Sequence, residues 1–130
     1  MYDAKKSNQD SITLWGTGNA RRELMHVEDC ANISIRLAKN YDLNGSVNVG
    51  CGKDYSIKEL SKLVAQIVGF NGKILFDNIN PDGTMKKCTD TSIINNMGIY
   101  HSIKIEDGIK EMLNIYINSE GKNLKIKKSY

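Results

Sequence analysis

Leu14-Trp15-Gly16-Thr17-Gly18-Asn19-Ala20-Arg21-Arg22-Glu23-Leu24-Met25-His26-Val27-Glu28-Asp29 is the stretch whose reading decides the fold. It opens on the end of an apolar run, Ile12-Thr13-Leu14-Trp15, that predicts a strand. Gly16 to Asn19 supplies turn residues, and the alternation from Arg22 to Val27 predicts a second short strand. Asp29 is the expected N-cap of a helix running to about Tyr41. That helix carries Cys30, Ile33 and Leu37 on one face, with Ala31, Ile35 and Ala38 adjoining, an apolar stripe wide enough to need cover.

Working outward, residues 2 to 8 are polar and read as the end of a helix that begins in absent sequence. Downstream, Ser46-Val47-Asn48-Val49-Gly50 is a candidate buried strand between glycines 45 and 52. Ser56-Ile57-Lys58-Glu59 is a capping box; Leu60, Leu63, Val64 and Ile67 repeat at helical spacing, and Gly69 suits the stop. Lys73 to Asp77 predicts a strand, and Asn78 to Lys87 a long polar loop holding the single proline. A short helix is expected over residues 91 to 97. A longer one runs from Ile105 to about Ser119 with Ile109, Met112, Leu113 and Tyr116 inward, ended by Gly121. Short strands alternating with helices predict an α/β layer arrangement.

The 130 residues suit one domain, and 40% hydrophobic with 25% charged content is ordinary for a globular chain. Mean hydropathy is -0.42. The apolar runs are too short for a bilayer span and the polar start has no signal-peptide core, so the expected location is the cytoplasm, with no membrane partner. A net charge of +3 is too mild to imply nucleic acid. Lys122, Lys125, Lys127 and Lys128 make residues 120–130 a basic tail. The three cysteines, Cys30, Cys51 and Cys88, are expected to be reduced and mostly buried.

Glycines 16 and 18 would let backbone approach a ligand, and Arg21 and Arg22 offer planar forks suited to phosphate oxygens; alone, such arginines are more often solvated surface. His26 and His101 have no carboxylate or thiol at ligand spacing, so no metal site is expected. Tyr2/Lys6 and Tyr100/Lys104 match the spacing of a reductase Tyr-x-x-x-Lys pair at the level of chance. Gly16-Thr17-Gly18 is not a dinucleotide fingerprint, because Arg21 stands where the third glycine belongs.

The Trp15 to Asp29 block, followed by Pro81-Asp82-Gly83-Thr84-Met85-Lys86-Lys87, resembles the carboxy-terminal half of the GDP-L-fucose synthase family of extended short-chain dehydrogenases. The family patterns are W-G-[ST]-G-x-x-x-R-E-F-x-H-V-D-D and P-D-G-T-P-R-K; Met85 and Lys86 depart from the second. The resemblance runs from about Ile12 to Tyr116. It implies a small α/β substrate-binding domain, residues 1–119, that lacks most of the Rossmann domain. It further implies that Arg22 meets the diphosphate of a GDP-sugar, with Arg21 peripheral. Trp15 would line the cleft, Lys87 would contact phosphate or base from the opposite wall, and His26 would be structural.

In the intact family NADPH reduces C4 after a Cys/His pair epimerises C3 and C5 of GDP-4-keto-6-deoxymannose, yielding GDP-L-fucose. Those catalytic and cofactor residues precede the matched region, so no catalytic or cofactor-binding residue is expected here and the chain alone is expected to be inactive. A Rossmann cofactor domain from separate sequence would then be its partner, with homo-oligomerisation possible. The alternatives are a non-catalytic nucleotide-sugar binding module, or part of another GDP-sugar reductase or epimerase acting on deoxyhexoses or heptoses.

Overall fold

The computed structural model describes residues 1–42 and 44–119. Its elements are α1 (Tyr2–Lys6), β1 (Ser11–Trp15), β2 (Arg21–Glu23), α2 (Val27–Asn40), β3 (Asp54–Ser56), α3 (Ile57–Val68), β4 (Lys73–Asp77), β5 (Lys86–Lys87), α4 (Ser92–Asn96) and α5 (Ile105–Ser119). The expected α/β class holds. The basic tail and the Gly121 stop lie outside the described residues.

β1 and β4 run parallel, Ser11 opposite Lys73 and Trp15 opposite Asp77. Parallel neighbours need a crossover, and β2, α2, β3 and α3 lie within it. Ile12 and Leu14 turn inward while Trp15 is 70% exposed. α3 starts as the sequence predicts. The Ser56 hydroxyl accepts from the Glu59 N–H at 3.1 Å, and the Glu59 carboxylate accepts from the Ser56 N–H at 2.7 Å. It stops at Gly69, whose φ of 71° is cheap only for glycine. Ala65 and Val68 on its inner face join Ala4 and Phe70 in one core cluster, with Ile12, Ile74 and Leu113 packed against it.

A second, three-stranded sheet has the order β3-β2-β5, with β3 antiparallel and β5 parallel to β2. The polar loop expected over Asn78 to Lys87 therefore ends as a strand: Lys86 and Lys87 pair with Arg21 and Arg22. A two-lysine strand has no hydrophobic pattern to betray it, because its pairing depends on the edge that β2 offers.

The second core cluster is Ile33, Ile94 and Ile99, ringed by Met25, Leu37, Val47, Val49 and Met97. Val47 and Val49 do turn inward, but residues 46 to 50 form no strand. The segment is held by side chains instead of a ladder. Asn48 Nδ2 donates to the Asp90 carbonyl at 3.2 Å, and Gly50 lies so close to Thr89 and Glu23 that a Cβ there would meet their oxygens at 2.0 and 2.5 Å.

Four further expectations are corrected. The N-cap of α2 is His26, whose Nδ1 accepts from the Glu28 N–H at 3.4 Å, while Asp29 sits buried one turn inside. Its carboxylate takes the Ser102 and Ile103 donors, a tertiary demand stronger than a local cap. Cys30 and Cys88 are exposed and Cys51 only partly covered, since they fall on a helix surface, after an edge strand and in the loop before β3. On α5, Ile109 and Leu113 are half-buried, but Met112 and Tyr116 remain about half exposed. Of the α2 stripe only Ile33 is buried, and Ile35 stays open. Among the described residues no helix is long and apolar enough to cross a membrane.

Candidate functional site

The glycine turn after β1 is built against its own protein. A Cβ on Gly16 would stand 2.3 Å from Asp82 Oδ1, and one on Gly18 2.4 Å from the Phe76 ring. Both glycines have φ near 80°, a left-handed conformation that disfavours side chains. The expected close approach is therefore to the Pro81-Asp82-Gly83 loop and to β4. Asp82 caps the turn, accepting from the Thr17 N–H at 2.6 Å and from the Thr17 hydroxyl. These donors hold its carboxyl below the usual range. Beyond the turn, the Gly18 and Ala20 carbonyls accept from the Lys58 and Ile57 N–H groups, satisfying the otherwise orphaned first turn of α3.

This turn leads into β2 and not into a helix. Its glycine cradle is filled by Asp82 and Phe76, so it does not fit a dinucleotide pyrophosphate, which needs both free backbone and a helix N-terminus.

The mixed sheet divides its charges between two faces, because paired residues share a face and alternate residues change it. One face carries Arg21, Asp54 and Lys86. Arg21 Nε donates to Asp54 Oδ1 at 2.7 Å, Lys86 Nζ lies 3.5 Å from Asp54 Oδ2, and Arg21 Nη1 lies 3.4 Å from Glu59. The Arg21 guanidinium holds the Asp54 carboxyl down, and Asp54 in turn raises Arg21. Glu23 is held down as well: burial opposes its charge, but the Thr89 hydroxyl and N–H and the Gly52 N–H outweigh it. Arg21 is thus a structural brace.

The other face carries Arg22, with Lys87 directly beside it on β5 and Tyr55 on β3. Arg22 Nη1 donates to the Arg21 carbonyl at 2.7 Å, which leaves the rest of the fork open. Arg22 and Trp15 line one hollow together with Leu14, Ala20, Ile57, Pro81, Asp82 and Gly83. Lys87 does not line that hollow; it stands exposed at the strand edge beside it. Asp82 and Tyr55 are the residues that sequence reasoning passed over. Asp82 lies in the quoted loop, yet only its fold onto Thr17 shows it beside Arg22.

His26 is nearly buried, with Nε2 3.5 Å from the Glu111 carboxylate. It borders a separate apolar hollow made by Leu24, Met25, Ile103, Ile105, Ile109 and Met112. The Tyr-x-x-x-Lys matches do not meet this site: Tyr2 packs edge-on against Tyr116, and the Tyr100 hydroxyl donates to the Asn95 carbonyl. No group of three or more His, Cys, Asp or Glu side chains is arranged for a metal among the described residues.

The NAD dependent epimerase/dehydratase family matches residues 1–50. The chain is 40% identical to "Probable GDP-L-fucose synthase 1" of Oryza sativa subsp. japonica, over 92% of this chain and 36% of that protein. It is 38% identical to a GDP-D-glycero-L-gluco-heptose synthase from Campylobacter jejuni solved in the presence of NADPH, with a TM-score of 0.75 over 84% of this chain and 34% of that one. A GDP-L-fucose synthetase from Naegleria fowleri shares the fold at a TM-score of 0.83 and 18% identity, over 93% of this chain and 38% of that one. The chain thus spans well under half the length of the relatives it matches. By sequence the chain is similar to the NAD dependent epimerase/dehydratase family over residues 1–50 and to GDP-L-fucose synthases over 92% of its length.

Proposed function

We propose that this chain supplies the nucleotide-sugar-binding portion of a GDP-L-fucose synthase-like epimerase/reductase. The observation that carries the reading is the meeting of Arg22, Trp15 and Asp82 around one hollow, with Lys87 in register beside Arg22. Arg22 presents a planar fork to a diphosphate, and Lys87 adds a mobile point charge at the rim. The exposed Trp15 indole offers an apolar face and one N–H to a sugar or base. Asp82 orders the turn between them and accepts from donors of its own protein.

Hydride chemistry in this reading comes from NADPH on a cofactor domain, which this chain binds through its uncovered apolar surface. That surface joins the hollow of Leu24, Met25 and Ile105 to the groove between α3 and α5 through Ile109 and Met112. Exposed apolar area of this kind marks an interaction surface. Three unpaired thiols fit the reducing cytoplasm.

The C. jejuni heptose synthase matches nearly as well as the rice protein, which favours a second reading in which the sugar is a heptose. Co-expression with a cofactor domain of the family tests both. A stable complex that consumes NADPH with GDP-4-keto-6-deoxymannose supports the first, and turnover only with a GDP-keto-heptose supports the second. A chain that neither associates nor binds GDP-mannose refutes the proposal.

A further inference from the structure

Arg22 on β2 and Lys87 on β5 leave the third strand of the sheet, β3, without a part in binding. The register gives it one. Tyr55 stands opposite Arg22, so Tyr55, Arg22 and Lys87 form one row across a single face. Neighbouring strands are about 4.8 Å apart, which places the three residues within the reach of one extended ligand. Lys53 stands beside Tyr55, its ammonium 5.0 Å from the ring centroid.

The two faces of this sheet differ in how their charges are met. Behind, Arg21 and Lys86 are neutralised by Asp54, and Arg21 also by Glu59. In front, no carboxylate lies within ion-pair distance of Arg22, Lys53 or Lys87 among the described residues. Further off, Asp82 bears on Arg22 and Glu106 on Lys53, and Asp29 lines a hollow together with Lys53 and Tyr55. Asp82 is already engaged by Thr17. Three unneutralised cations around a half-buried phenol suit an anion with more than one charge.

We propose that Tyr55 and Lys53 form a third element of the anion site, the Tyr55 hydroxyl donating to a phosphate oxygen beside Arg22 and the Lys53 ammonium adding charge on the far side from Lys87. This rests on the nucleotide-binding reading above.

The test is calorimetric titration of the full 130-residue chain with GDP, inorganic pyrophosphate and guanosine, for wild type, Tyr55→Phe, Lys53→Met and Arg22→Ala. Tyr55→Phe should weaken GDP and pyrophosphate about three- to tenfold, the loss of one hydrogen bond, while guanosine binding and the thermal midpoint stay unchanged. Lys53→Met should also flatten the dependence of log K on log salt. If Arg22→Ala weakens GDP while Tyr55→Phe and Lys53→Met match wild type, the proposal falls and the nucleotide reading stands. A Tyr55→Phe loss that comes with a lowered thermal midpoint, or that is equal for guanosine, also overturns it. Absence of saturable GDP and pyrophosphate binding by wild type overturns both.

Discussion

The Asp29 carboxylate accepts two hydrogen bonds from Ser102, from its N–H at 3.0 Å and from its hydroxyl at 2.8 Å, and so ties the first turn of α2 to the segment that leads into α5. A third bond comes from the Ile103 N–H at 2.8 Å. Burial opposes the charge, but the Ile103 and Ser102 donors outweigh it and hold the carboxyl below its ordinary range. The folded state therefore takes up this proton less readily than the unfolded chain, whose aspartate titrates near pH ~3.9. The stability that Asp29 contributes is fully present above that pH and is lost as pH falls through the lower folded value. Asp29→Asn should cost about 2 kcal/mol at pH 7 and make the acid limb of stability shallower. Urea titrations between pH 3 and 7 measure both; an unchanged acid limb contradicts this account.

Adjacent arginines should behave differently. Arg22→Ala should weaken GDP binding by about 1–3 kcal/mol through loss of a charge-assisted bond, with little change in melting temperature. Arg21→Ala should instead lower the melting temperature, because Asp54 keeps only the longer contact to Lys86 and Glu59 loses its cationic partner, and it should change GDP affinity less. Paired calorimetry and thermal melts separate the two roles.

Gly18 and Gly83 are both left-handed, at φ 79° and 69°, but only Gly18 has the Phe76 ring in the path of a Cβ. Gly83→Ala should cost roughly 1 kcal/mol from backbone conformation alone. Gly18→Ala adds the displacement of a ring and should cost about 2–3 kcal/mol. Equal urea midpoints for the two variants would contradict the packing argument.

The open apolar surface around Ile109 and Met112 should make the isolated chain bind an apolar dye and self-associate at high concentration. Met112→Glu should reduce the dye signal and shift sedimentation toward monomer without lowering the melting temperature, since Met112 is 55% exposed. The same substitution should weaken association with a family cofactor domain.

Local signals were legible in the sequence wherever the physics is local. The Ser56/Glu59 capping box, the Gly69 stop, strands β1 and β4 and the helical spacing of α3 depend on residues within a few positions of one another, and each is where its pattern places it. The Trp15 and Pro81 blocks carried the family for the same reason, being contiguous. Tertiary structure decided what depends on distant partners. Lys86 and Lys87 become a strand only because β2 presents an edge, and Asp29 leaves the capping role because Ser102 and Ile103 arrive across the fold with three donors. The division between Arg21 and Arg22 has the same origin. Neighbours in an extended chain point to opposite faces, and which face meets Asp54 and which meets open solvent is set by the pairing of β2 with β3 and β5.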